Sequence, residues 1–182
     1  MGFFPSSKHP FFVDASKNKN SPYRDWYIFQ DEKPEGSWGK YWQKCETGWY
    51  YAYFAASKPD MNFRNPKVLD YYKQVVKFWL DKGVDGFRYD AVTMLVENGD
   101  GNYKHQPESF AVFRELRAFM DENYPDRDVF TVAEAEPEYT QYLGHQLSRS
   151  ETAEGQYHTA LPWSYHERLA TDETLLLSEA MN

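Results

Sequence analysis

The sequence has one cysteine, Cys45, so no disulfide can close within the chain and no cysteine-based zinc site can be built. It has no apolar run of the ~18 residues that a membrane-spanning helix needs. Its start, Met1 to Pro5, has neither the basic residues nor the apolar stretch of an export signal. Positive charge is scarce: 20 Lys and Arg against 28 Asp and Glu leave a net charge of −8. That balance lacks the electrostatic footprint of a nucleic-acid binder. Internal repeats, low-complexity tracts and charge blocks are also missing. Neither a nucleic-acid nor a membrane partner is expected, and no segment specifies a compartment.

Aromatic residues are abundant. Six Trp, 15 Tyr and 13 Phe make up 19% of the 182 residues, a composition opposite to that of disordered chains. The length suits one domain, or a piece of a larger one.

The chain divides by texture. Residues 1–57 read as irregular, with loops, short strands and a polar run from Ser16 to Pro22. Within them, Trp49 to Phe54 reads as a strand, because aromatics suit a pleated surface. Residues 58–182 have an αβ texture. Asn65 is a good N-cap and Pro66 suits the first helical position. Leu69, Tyr72, Val76, Trp79 and Leu80 then recur at helical spacing, and Gly83 supplies a stop. A short strand over 84–91 follows, then a polar loop over 92–106. A second helix opens at Pro107, with Phe110, Phe113, Leu116, Phe119 and Met120 on one face, and ends near Tyr124-Pro125. A second strand runs over 128–134. Beyond it the pattern gives a polar loop with some helix over 136–156, a third strand over 157–161 and two short helices over 163–181. Strands alternating with helices imply βαβ units and a parallel sheet.

In such sheets chemistry sits at the carboxyl ends of the strands. Both clear strands end in a carboxylate: Asp90 on the first and Glu134 on the second. Side chains alternate along a strand, so Arg88 and Asp90 share one face while Phe87 and Tyr89 share the other. Carboxylates at the ends of neighbouring strands can stand ~5–5.5 Å apart, the separation of a retaining glycosidase. Arg88 favours an ionised Asp90, as a nucleophile requires. Glu134, among small and apolar neighbours and facing an anion, is expected to hold its proton, as a general acid requires. The plain alternatives stand beside this reading. A single carboxylate at a strand end is more often a cap or a solvated loop residue. Arg88 and Asp90 also fit a simple buried ion pair.

Whole motifs add to the spacing. Gly86-Phe87-Arg88-Tyr89-Asp90-Ala91 resembles the nucleophile motif of the α-amylase family, glycoside hydrolase family 13. Thr131-Val132-Ala133-Glu134-Ala135 resembles its acid/base strand. Lys58-Pro59-Asp60-Met61-Asn62-Phe63, followed by Asn65-Pro66, is similar to the short motif before the helix that leads into the nucleophile strand. His9-Pro10-Phe11-Phe12 and Tyr23-Arg24-Asp25-Trp26-Tyr27 resemble the B domain inserted in the barrel. The resemblance covers roughly residues 6–170.

It implies a partial (β/α)₈ TIM barrel, about strands 4 to 6, with residues 1–57 as an irregular B-domain-like insertion and 58–182 as partial catalytic domain. It implies retaining hydrolysis of α-glucosidic bonds in malto-oligosaccharides or starch-like glucans. Asp90 would form the covalent glycosyl intermediate, Glu134 would be the acid/base, and Arg88 would hold Asp90 at the substrate. Three departures accompany it. The family's first three strands would precede Met1. The third carboxylate, which follows a His on a later strand, has no match here. Thr93 and Met94 stand where many relatives carry Lys-His. The isolated chain is therefore expected to hydrolyse little or nothing.

Other residues are read more plainly. Most of the aromatics over 26–51 suit a small aromatic core, and some could line a sugar pocket. His9, His105, His145, His158 and His166 show no metal spacing. Asp14, Asp25, Asp31 and Asn18 could offer oxygens to the calcium that some relatives bind, but no loop has a calcium pattern. No cofactor is expected. Asp60 reads as a turn and cap residue, and Cys45 as an ordinary thiol. Two other functions share these features: an α-glucan transglycosylase or trehalose-synthase-type isomerase, and a non-catalytic sugar-binding or scaffold relative.

Overall fold

The computed structural model of the chain describes residues 1–135 and, as backbone, residues 158–162. The readings over 136–156 and 163–181 lie outside the described residues.

Residues 1–57 contain a helix that the periodicity did not announce. This is α1, Pro10–Lys17. His9 caps it in an extended conformation, with Nδ1 accepting from the Phe11 amide at 3.3 Å, and Pro10 occupies the first turn. Only Phe12 and Ala15 of this helix are buried, too few to set a period. The polar run begins inside its last turn.

An antiparallel sheet follows, made of β1 (Phe29–Gln30), β2 (Trp42–Cys45) and β3 (Gly48–Tyr51), in the order β1-β3-β2. The strand expected to reach Phe54 stops at Tyr51. The Ala52 amide turns to the Tyr41 carbonyl at 2.8 Å, and the Tyr53 amide turns to Asp60 Oδ2 at 2.8 Å.

Helix α2 spans Pro66–Asp81, and its cap is Asn65, whose side chain accepts from the Lys67 amide at 3.0 Å. Val68, Tyr72, Val76 and Leu80 form its buried stripe at four-residue spacing. Trp79 was expected in that stripe but is 46% exposed, one position around the helix and against Phe78. Leu69 is half-buried, and its place in the stripe goes to Val68.

Strand β4 (Gly86–Tyr89), helix α3 (Pro107–Asn123), strand β5 (Phe130–Ala135) and strand β6 (His158–Pro162) complete the described chain. The loop after β4 contains a 3₁₀ turn, Val92–Met94. Strands β4, β5 and β6 pair in parallel in that order, with Arg88 opposite Val132 and Tyr89 opposite Ala133. Met1 lies along the other edge of β4: its ammonium donates to the Arg88 carbonyl and its carbonyl accepts from the Asp90 amide. The βα alternation is that of a (β/α)₈ barrel, of which three strands are present among the described residues.

Phe87 and Tyr89 face the helices and are buried. Tyr89 joins Phe3, Tyr72 and Phe113 in an aromatic cluster, with Phe3 lying 5.1 Å from Tyr72 and 5.3 Å from Phe113 between ring centres. Alternation therefore sends Arg88 and Asp90 to the other side of the sheet. Among the described residues no helix is long and apolar enough to cross a membrane.

Candidate active site

The site is built by the parallel register. One step beyond the Tyr89–Ala133 pair, Asp90 comes level with Glu134. The chain then leaves the sheet abruptly. Ala91 takes a left-handed conformation, with φ 48° and ψ 48°, uncommon for a residue with a Cβ. That turn aims its amide at the neighbouring strand, where it donates to Glu134 Oε2 at 3.3 Å.

Arg88 joins the two acids. Its Nη1 meets Asp90 Oδ1 at 2.6 Å and its Nη2 meets Glu134 Oε2 at 2.5 Å. The residues beside Glu134 along its own strand include no cation, so the expectation of purely small, apolar and anionic surroundings is corrected by this contact. The guanidinium fork spans two strands, which spacing along one strand does not reveal. The two carboxyl groups are also hydrogen-bonded to each other.

Their surroundings differ. The Asp90 side chain is 38% exposed, whereas that of Glu134 is 4% exposed. Burial alone would raise the Asp90 pKa. The hydrogen bond with Glu134, the Arg88 charge and the Arg88 hydrogen bond outweigh it, and hold Asp90 below its ordinary value. For Glu134, burial and the hydrogen bond with Asp90 dominate over Arg88 and the Ala91 amide, and the pKa is pushed up to about 7. One carboxyl is thus held ionised and its partner protonated near neutrality. Such a pair can attack a carbon with one group while the other supplies a proton.

Other sequence candidates lie elsewhere. Asp14 accepts from Ser21, Asp31 pairs with Lys19, and Asn18 accepts from the Asn20 amide at 2.9 Å. Among the described residues no group of three His, Cys, Asp or Glu could hold a metal ion. Asp60 fastens a turn, and does so from the interior. It is 1% exposed, and only its Oδ2 has a hydrogen-bond partner, the Tyr53 amide. Trp42, Tyr27 and Tyr51 are buried in the aromatic packing of the N-terminal part.

One contributor, Ala91, gives no signal in the sequence, because its role rests on a backbone angle. Away from the pair, Glu97, 6% exposed and paired with Arg64 at 3.3 Å, sits in a stretch that reads as polar loop.

Residues 4–161 match the family model described as alpha amylase, catalytic domain. The chain is 44% identical over 112 residues to alpha-amylase 3 of Dictyoglomus thermophilum, an overlap covering 62% of this chain and 22% of that protein. It is 32% identical over 164 residues to a trehalose synthase of Pimelobacter sp., covering 82% of this chain and 28% of the relative. A solved structure titled family GH13_31 enzyme superposes with a TM-score of 0.72 at 25% identity, over 88% of this chain and 34% of that one. The chain thus spans between about a fifth and a third of the length of these relatives.

Proposed function

The chain belongs to the α-amylase family, glycoside hydrolase family 13, and on that premise we propose that it carries the catalytic pair of a retaining α-glucosidase or amylase acting on malto-oligosaccharides or related α-glucans. Residues 1–57 are then the B-domain-like part and 58–182 the barrel part. The observation that carries the reading is geometric: Asp90 and Glu134 meet at the ends of adjacent parallel strands and share the Arg88 guanidinium, in surroundings that lower the pKa of the first and raise that of the second.

In this reading the Asp90 carboxylate attacks the anomeric carbon as the bond to the leaving oxygen breaks. Glu134 gives its proton to that oxygen. A water then enters, Glu134 takes back a proton, and the hydroxyl displaces Asp90 with net retention. Arg88 keeps Asp90 charged before attack and steadies it as it leaves. The Ala91 amide and Arg88 both hold Glu134 Oε2 and so fix the orientation of that carboxyl.

The test uses α-glucosyl fluoride and maltose with the chain in its native polypeptide. Fluoride leaves without protonation. Glu134→Ala should therefore lose about 10²–10⁴-fold on maltose and much less in the first step on the fluoride. Added azide should then yield α-glucosyl azide. Asp90→Ala should lose about 10⁴-fold or more on both substrates, and azide should yield the β-anomer. Undiminished turnover in Asp90→Ala sinks the proposal.

The 32% identity to a trehalose synthase over 82% of the chain favours a second reading. The same intermediate would be captured by a sugar hydroxyl rather than water. Incubation with maltose separates the two, giving glucose in one case and an isomeric disaccharide in the other.

A further inference from the structure

The loop that follows the nucleophile strand, residues 90–106, is fastened at its tip to a segment more than sixty positions earlier. Asp100 is the fastener. Its Oδ1 accepts from the Trp38 amide at 2.9 Å, from Ser37 Oγ at 2.5 Å and from Tyr103 Oη at 2.5 Å. Two glycines flank it, Gly99 at φ 90° and Gly101 at φ 80°, both in the left-handed region that admits glycine cheaply. The approach is tight on both sides. A Cβ on Gly36 would lie 2.9 Å from Asp100 Oδ2, and a Cβ on Gly99 would lie 3.2 Å from the Trp38 ring. The Tyr103 ring then packs edge-on against Tyr41, 4.8 Å between centres.

This loop is a βα loop at the carboxyl end of β4, the place where barrel enzymes build their substrate clefts. Its base is equally fixed. The His105 amide bonds the Thr93 carbonyl at 2.6 Å, and the chain enters the loop through left-handed Ala91 beside Asp90. The base is thus held by bonds of its own, and opening the tip moves the outer part of the loop rather than the pair of carboxyls.

We propose that Asp100 is a positioning residue that clasps the loop behind the nucleophile onto the Ser37–Tyr41 turn and so fixes one wall of the substrate cleft. The role in substrate binding rests on the function proposed above, whereas the clasp itself does not.

The experiment compares wild type, Asp100→Ala and Asp100→Asn in the native polypeptide. Asn keeps an acceptor at the clasp, and Ala removes it. Hydrogen exchange at the Trp38 amide and tryptic cleavage after Lys104 read the clasp without any activity. Both should accelerate at least tenfold in Asp100→Ala and stay near wild type in Asp100→Asn. Affinity for maltotriose, measured at equilibrium in a Glu134→Gln background, should weaken about 5–10-fold with Ala only, a loss of the size of one ordinary hydrogen bond. Turnover of the single-sugar α-glucosyl fluoride should stay within twofold. Unchanged exchange and cleavage would overturn the clasp. An open clasp with unchanged maltotriose affinity, or a loss of fluoride turnover as large as the loss of maltotriose affinity, would overturn the positioning role. Failure of the wild-type chain to bind maltotriose or to turn over the fluoride would overturn the functional reading and leave the clasp to the exchange data.

Discussion

The pair of carboxyls sets a pH profile through two unlike residues. As the proposed acid Glu134 must be protonated, and its pKa is pushed up to about 7. The basic limb of kcat/KM should therefore fall near pH 7. Asp90 must be ionised and is held below its ordinary value, so the acid limb should lie below the usual carboxylate range of about 3.9. Asp90→Asn tests the coupling. It removes an anion and weakens a hydrogen bond, both of which raise Glu134, while Arg88 and the Ala91 amide remain to lower it. The Glu134 titration, followed by carbon NMR of the labelled carboxyl, should move down. A midpoint that stays in place or rises would show that burial alone sets it. Position along the strand made Asp90 and Glu134 legible in the sequence, because alternation fixes which side chains share a face. The reach of Arg88 to Glu134 was not legible, because it crosses strands and depends on which rotamer the guanidinium adopts.

At the scale of elements, β4 and β5 meet because Gly86 has no side chain. A Cβ there would stand 2.1 Å from the Phe130 carbonyl oxygen, in the opening pair of the ladder. The need is for close approach rather than for an unusual backbone angle. Gly86→Ala should push the first pair apart and cost about 1–3 kcal/mol, as overpacking does. The urea midpoint should drop accordingly, and the Asp90–Glu134 register should loosen with it. A midpoint equal to wild type would mean that the strands part at no cost. The N-cap Asn65 and the first-turn Pro66 made the start of α2 legible, and Pro107 did the same for α3. Helix α1 was hidden because eight residues with two buried positions leave no period to find. The stop of β3 at Tyr51 was hidden because it depends on Asp60, seven residues beyond Tyr53 and folded back into the interior.

The molecule as a whole buries acids that sequence texture assigns to loops, and this governs its stability. Glu97 raises Asp60 further, both acids act on the Tyr51 hydroxyl, and Arg64 pairs with Glu97 at 3.3 Å. Only three-dimensional packing brings these positions together, so no local pattern could have announced them. Burial is the main cause at both sites. Glu97 is pushed up from 4.5 to about 7, with Arg64 opposing, and Asp60 is raised in the same direction. The consequence has a definite sign. In the unfolded chain Glu97 ionises near 4.5, and in the folded chain it keeps its proton to about 7. Its favourable share of stability is thus complete below pH 4.5, shrinks as pH rises and is gone above 7. At ~1.4 kcal/mol per pKa unit, that share is about 3 kcal/mol at most. Glu134 adds a contribution of the same sign over the same window, and Asp90 opposes it only at lower pH. Stability should therefore be greater in mild acid than at pH 8. Glu97→Gln, which keeps the shape and cannot ionise, should flatten the decline of the urea midpoint between pH 5 and 8. An equal slope in the variant would mean that Glu97 stays ionised in the fold and that Arg64 fully compensates its burial.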